Sequence, residues 1–197
     1  MNAPFKFGIK IGLGALFAGA IVAYAFVQPF EPDAVRGAIP YGASFVFKAE
    51  SLGDLLQSPV RGQLDKALGA GNSLREIAES SAWTKQVAAA EIAVADIPFR
   101  SAGARKSWAA ASWVGWRSPW LRWRLEHARD DRLDFMGKHS VWPVWRYDAP
   151  DIARGMSLTF ALTDNLFIVC LSESPTDIFL LLDTYDGRHP AARHDKG

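Results

Sequence analysis

The chain has a single cysteine, Cys170, which excludes a disulfide framework and any cysteine-cluster metal site. It also lacks an excess of either charge. Twenty-two Lys and Arg stand against 21 Asp and Glu, a net charge of +1, so no nucleic-acid partner is expected. Histidine is sparse. His127, His139, His189 and His194 are scattered with no HExxH or other paired spacing, so no metal is expected. G-x-S-x-G, P-loop and G-x-G-x-x-G motifs are all missing. No catalytic residue and no cofactor follow from the sequence. Cys170 itself lies inside an apolar run, where a buried, inert thiol is expected. What remains is 49% hydrophobic, 12% aromatic and 22% charged over 197 residues. That composition excludes a disordered chain and suits one domain plus one extra element.

The extra element is N-terminal. Residues 11–30 (IGLGALFAGAIVAYAFVQPF) run for twenty positions without a charge. A bilayer core of about 30 Å needs about 20 such residues in a helix. Lys6 and Lys10 precede the run, and Glu31 and Asp33 follow it. This asymmetry predicts residues 1–10 in the cytoplasm and everything after residue 30 outside. The expected location is a bacterial inner membrane, crossed once, with the domain periplasmic or extracellular. A competing reading takes Lys6 and Lys10 as an n-region, 11–22 as an h-region and Ala23-Tyr24-Ala25 as a cleavage site, giving a secreted product. Both readings export the same domain. Gly8 and Gly12 form a GxxxG pair, a packing face for a second membrane helix.

Gln28–Pro40 carries three prolines and two acids, so 31–40 reads as a linker, and 41–187 carry the domain. Residues 43–49 alternate as a strand does. Ser51-Leu52-Gly53-Asp54 is a capping box, and Leu52, Leu55, Leu56, Val60, Leu64 and Leu68 follow it at helical spacing. Ser73-Leu74-Arg75-Glu76 is a second box. Residues 91–99 and 107–116 read as strands. Ser118-Pro119 suits the start of a helix over 120–131, although Leu121, Trp123 and Leu125 alternate as in a strand. The sign-alternating stretch from Arg129 to Asp134 reads as a solvated turn. Three further strands are expected at Trp142–Tyr147, Ser157–Leu162 and Leu166–Ser172, the last two joined as a hairpin through Thr163-Asp164-Asn165. Ser174-Pro175-Thr176-Asp177 then opens a helix with Ile178, Phe179, Leu181 and Leu182 on its apolar face, and 188–197 reads as a polar tail. The order predicts an α+β fold: an N-terminal transmembrane helix, then an antiparallel sheet with helices packed on one face.

The segment IPYGASFVFKAESLGDLLQSPV, coming after an apolar N-terminal run, resembles the opening of uncharacterised single-pass bacterial cell-envelope proteins. Ile39, Pro40, Ala43, Ser51, Leu52, Leu55, Ser58 and Pro59 carry the likeness. The later TFALTDNLFIVCLSES is similar to their hairpin and Ser-capped helix. The resemblance covers about half the chain and rests on turn and cap residues. It implies an envelope protein and supplies no catalytic residues.

The densest unexplained feature is a Trp/Arg stretch. Trp108, Trp113, Trp116, Trp120 and Trp123 fall close together, and eight basic residues between Arg100 and Arg132 face only three acids. Buried aromatics and snorkelling arginines account for such a stretch in many domains. The functional reading selects Trp113, Trp116, Arg117, Trp120, Arg122, Trp123 and Arg124 as a surface for membrane lipid, for an envelope protein partner or for a second copy. The function expected is a non-enzymatic scaffold or interaction domain held at the membrane. Alternatives are an exported glycan- or cell-wall-binding module with exposed tryptophans, and an envelope hydrolase.

Overall fold

The structure, a computed structural model, describes residues 34–59, 61–62, 90–98, 107–148 and 155–192. The membrane run over 11–30, Gly8, Gly12 and the capping box at Ser73 lie outside the described residues. Among the described residues no helix is long and apolar enough to cross a membrane. The chain divides into two compact units, Met1–Glu31 and Pro32–Gly197, and every described residue belongs to the second.

That unit is a seven-stranded antiparallel sheet with a few short helices, an α+β fold. Its elements are α1 (Ala34–Gly37), β1 (Phe45–Ala49), α2 (Leu52–Gln57), β2 (Ile92–Asp96), β3 (Trp108–Trp113), a 3-10 turn (Gly115–Arg117), α3 (Ser118–Glu126), β4 (Leu133–His139), β5 (Trp142–Tyr147), β6 (Ser157–Leu162), β7 (Leu166–Ser172) and α4 (Ile178–Tyr185). The sheet order is β1-β2-β3-β7-β6-β5-β4. Two meanders run inward from opposite edges and meet where β7 pairs antiparallel with β3. The link from β3 to β4 must therefore pass β7, β6 and β5. It does so through the 3-10 turn and α3.

Helices cover both faces of the sheet, not the one face expected. The cause is legible in β7: Leu166, Phe167, Ile168, Val169, Cys170 and Leu171 are apolar at every position, so both pleat faces need cover. On one face Ala109, Ala111, Ile168 and Cys170 pack with Val35 of α1 and with Ile178, Leu181 and Leu182 of α4. On the other, Phe160, Leu162, Phe167 and Trp145 pack with Leu121 of α3. Farther along that second face, Val94, Trp108 and Leu171 pack with Leu55 of α2.

The domain also begins earlier and ends later than its composition implies. From Ala34 onward the expected linker is packed: Val35, Ala38 and Ile39 are buried. The expected tail is tied back to it. Pro40 and Ala191 form an antiparallel bridge. The Tyr41 amide donates to the Pro190 carbonyl at 2.9 Å, and the Ala192 amide donates to the Ile39 carbonyl at 2.7 Å. Proline and charge content signalled loops, but these backbones satisfy each other. One strand also replaces an expected turn. β4 starts at Leu133, inside the sign-alternating stretch. It is an edge strand with a bulge between Phe135 and Gly137, where Gly137 takes φ 113°. The bulge breaks the period-two pattern and, with exposed Lys138, blunts the edge.

Candidate functional site

Local bonding sets how α3 is rolled. β3 ends at Trp113, and the amides of Val114 and Gly115 both donate to the Asn165 carbonyl, at 2.8 and 3.0 Å. Gly115 turns the chain with φ 50°, a left-handed value that favours glycine. The Ser118 hydroxyl does not cap the helix. It lies in the first turn, buried, and donates to the Thr163 carbonyl. Arg122 Nη2 donates to the Leu162 carbonyl at 3.4 Å. Leu121 is buried among Val114, Trp145 and Phe160, and Leu125 packs against the same cluster. These contacts pin the Ser118–Leu121–Leu125 side of α3 to the sheet.

The opposite side then faces outward. Trp116, Trp120 and Trp123 follow at i, i+4 and i+7, one turn apart. They are 51%, 42% and 57% exposed. Indoles used for the core are elsewhere: Trp108 is 5% exposed, and Trp142 and Trp145 are buried. Each outward indole has a basic side chain against it. The Arg117 guanidinium lies 5.9 Å from the Trp116 ring centroid, and the Arg124 guanidinium lies 5.0 Å from that of Trp120. The His127 ring stands 5.0 Å from Trp123. His127 Nδ1–H also donates to the Trp123 carbonyl at 2.8 Å, beside the His127 backbone amide that donates to the same oxygen at 3.1 Å. Phe135, 53% exposed, lies on this same sheet face beside Trp145.

Of the residues expected at this surface, Trp116 and Arg117 of the 3-10 turn and Trp120, Trp123 and Arg124 of α3 share one outward side. Trp113 does not. It pairs with Leu166 and packs, partly buried, against the core on the other sheet face. Arg122 does not either, since its guanidinium turns toward the sheet and the Leu162 carbonyl. His127 was missed by sequence reasoning. The available signal was its position one turn beyond Trp123.

A second polar cluster was also missed, because its members are 44 residues apart in the chain. His139 Nε2 meets Asp183 Oδ1 at 2.8 Å. Arg188 donates to Asp183 Oδ1 at 2.7 Å and to Asp186. Trp142 Nε1 donates to Asp186 Oδ1 at 2.7 Å. The His139 ring stacks on Phe179 with centroids 4.4 Å apart. A histidine–carboxylate pair resembles half of a hydrolytic triad. Here the carboxylate is shared with a guanidinium and both aromatic partners are core-edge rings, so the arrangement is a clamp between the β4–β5 hairpin and α4.

Among the described residues no three His, Cys, Asp or Glu side chains are grouped to hold a metal ion. Cys170 is buried, and burial pushes its thiol up from 9.0 to about 12. An acid whose ionisation is suppressed only in the fold favours the unfolded chain once pH rises above about 9. At neutral pH the thiolate fraction is about a thousandfold below that of an ordinary thiol. The native chain is therefore expected to resist iodoacetamide at pH 8, and the urea-unfolded chain is expected to react. Rapid native labelling, followed by mass spectrometry, would overturn the buried placement. No family model, curated protein or solved structure matches the chain.

Proposed function

We propose that this chain is a single-pass, membrane-anchored envelope protein whose α+β domain is a non-enzymatic interaction module, docking through the outward side of α3. The observation that carries the reading is the row of Trp116, in the 3-10 turn, and Trp120 and Trp123, on α3, along the side directed away from the core. All three indoles are exposed, and an exposed aromatic patch of this kind marks a contact surface. The uncharged run over 11–30 supplies the tether. A glycan platform is the second reading, favoured by indole exposure alone. It is weakened because the rings of Trp116 and Trp120 already carry arginines, which compete with a stacked sugar. The hydrolase reading is weakened by the Arg188 contact to Asp183.

A photocrosslinking amino acid placed at Glu126, on α3, is expected to give adducts in cells, to protein or to lipid. The same group at Asp164, on the β6–β7 turn, is expected to give none. Equal yields at the two positions would remove the case for a docking face. Alkaline extraction tests the tether: the full chain is expected to stay in the membrane pellet, and release refutes the anchor.

A further inference from the structure

The outward side of α3 carries two kinds of group in alternation. Trp116, Trp120 and Trp123 are amphipathic rings with an apolar body and one N–H. Arg117, Arg124 and His127 lie against those rings. Within Ser118–Glu126 the only acid is Glu126. We infer that this side of α3 docks on a bilayer surface bearing anionic phosphate headgroups. The inference deepens the docking reading above and rests on it.

The chemistry fits that occupant in three respects. Indoles settle at the depth of the headgroups, where the ring meets acyl carbon and the N–H meets water or ester oxygen. Guanidinium groups bind phosphate oxygens through paired N–H donors, and the cation–π contact of Arg124 with Trp120 consumes none of its donors. An arginine over an indole therefore presents charge and apolar ring at the same depth, which a neutral sugar does not need and an anionic interface does. The charge balance of this side is complementary to such a surface: Arg117 and Arg124 stand against Glu126 as the only acid of the helix. Exposed Phe135 extends the apolar area on the same sheet face.

The test uses the full chain carried in phosphatidylcholine nanodiscs, with Glu126→Cys labelled by an environment-sensitive fluorophore. Cys170 stays unlabelled because it is buried. Vesicles of pure phosphatidylcholine are compared with vesicles of equimolar phosphatidylcholine and phosphatidylglycerol. A blue shift and co-flotation are expected with the anionic vesicles only, weakening as salt rises. R117Q/R124Q is expected to weaken binding about thirtyfold, at about five- to sixfold per cation. W116A/W120A/W123A is expected to weaken it by at least about tenfold. Both sets replace outward side chains, and an unchanged urea midpoint confirms that the fold persists. Equal binding to both vesicle types overturns the inference. So does displacement by inorganic phosphate beyond that by chloride at equal ionic strength, which assigns the site to a free anion. Absence of vesicle binding while protein adducts form at Glu126 overturns the lipid assignment and leaves the docking reading intact.

Discussion

Trp145→Ala is expected to lower the unfolding free energy by about 3–5 kcal/mol, the range for truncating a fully packed large aromatic. The ring is 2% exposed. It stacks on Phe160 at 5.9 Å and tilts against Phe135 at 5.8 Å. It also shares a cluster with Leu121 and Leu162, so it forms part of the floor on which α3 rests. Its loss opens a cavity beneath the helix that carries the outward indoles. Urea unfolding followed by far-UV circular dichroism checks the prediction. The midpoint is expected to fall with little change in slope, as for a loss of native packing. A cost under about 1 kcal/mol would mean that α3 is not seated over β5. The same variant is expected to bind anionic vesicles more weakly, although position 145 touches no lipid. The roll of α3 sets which side its tryptophans occupy.

That dependence explains why the site was only partly legible in the sequence. Trp113 and Trp116 are three residues apart and chemically identical, yet they serve opposite sides of the sheet. In β3 the side of each residue is fixed by pairing with β7: Trp113 stands opposite Leu166, on the side covered by α1 and α4. Two residues later Gly115 turns the chain, and Trp116 belongs to a different element facing a different way. Composition found the Trp/Arg stretch. Only the turn between strand and helix divided it into core and surface.

The fold was readable where local pattern and tertiary environment agree. Ser157–Leu162 and Leu166–Ser172, joined by Thr163-Asp164-Asn165, are a hairpin at the expected bounds. The Thr163 hydroxyl accepts from the Leu166 amide at 3.0 Å and helps fix that turn. Ser51 caps α2 by accepting from the Asp54 amide at 3.1 Å, as its box predicts. Asp54, however, accepts from the Ser51 hydroxyl and does not reach back to the backbone. Ser174 fails as a cap. It is tied to Thr176, and α4 begins at Ile178. β4 was hidden because an edge strand exposes polar side chains and its bulge breaks alternation. Residues 188–192 were hidden because their partners lie some 150 residues earlier, at Ile39–Tyr41.

Asp183→Ala is expected to cost about 2–4 kcal/mol, although Asp183 lies near the chain's apparent polar end. Two charge-assisted bonds converge on this carboxylate, from His139 and from Arg188, and its side chain is only 23% exposed. Bonds of that class contribute about 1.5–3 kcal/mol each where solvent is largely excluded. Removing the acceptor leaves the His139 ring stacked on Phe179 with no partner for its Nε2. Arg188 keeps its contact to Asp186, so the loss is partial on that side. The consequence reaches further than one bond. The clamp holds the β4–β5 hairpin against α4, and the chain beyond Arg188 supplies the Pro190 and Ala192 contacts that fasten Ile39 and Tyr41. Loosening Asp183 is therefore expected to raise amide exchange at Tyr41 and Ala192 as well as in α4. A double-mutant cycle with His139→Ala separates a clamp from two independent surface contacts. A coupling energy of about 1 kcal/mol or more marks the clamp, and additive single costs would reduce it to a pair of edge ion pairs.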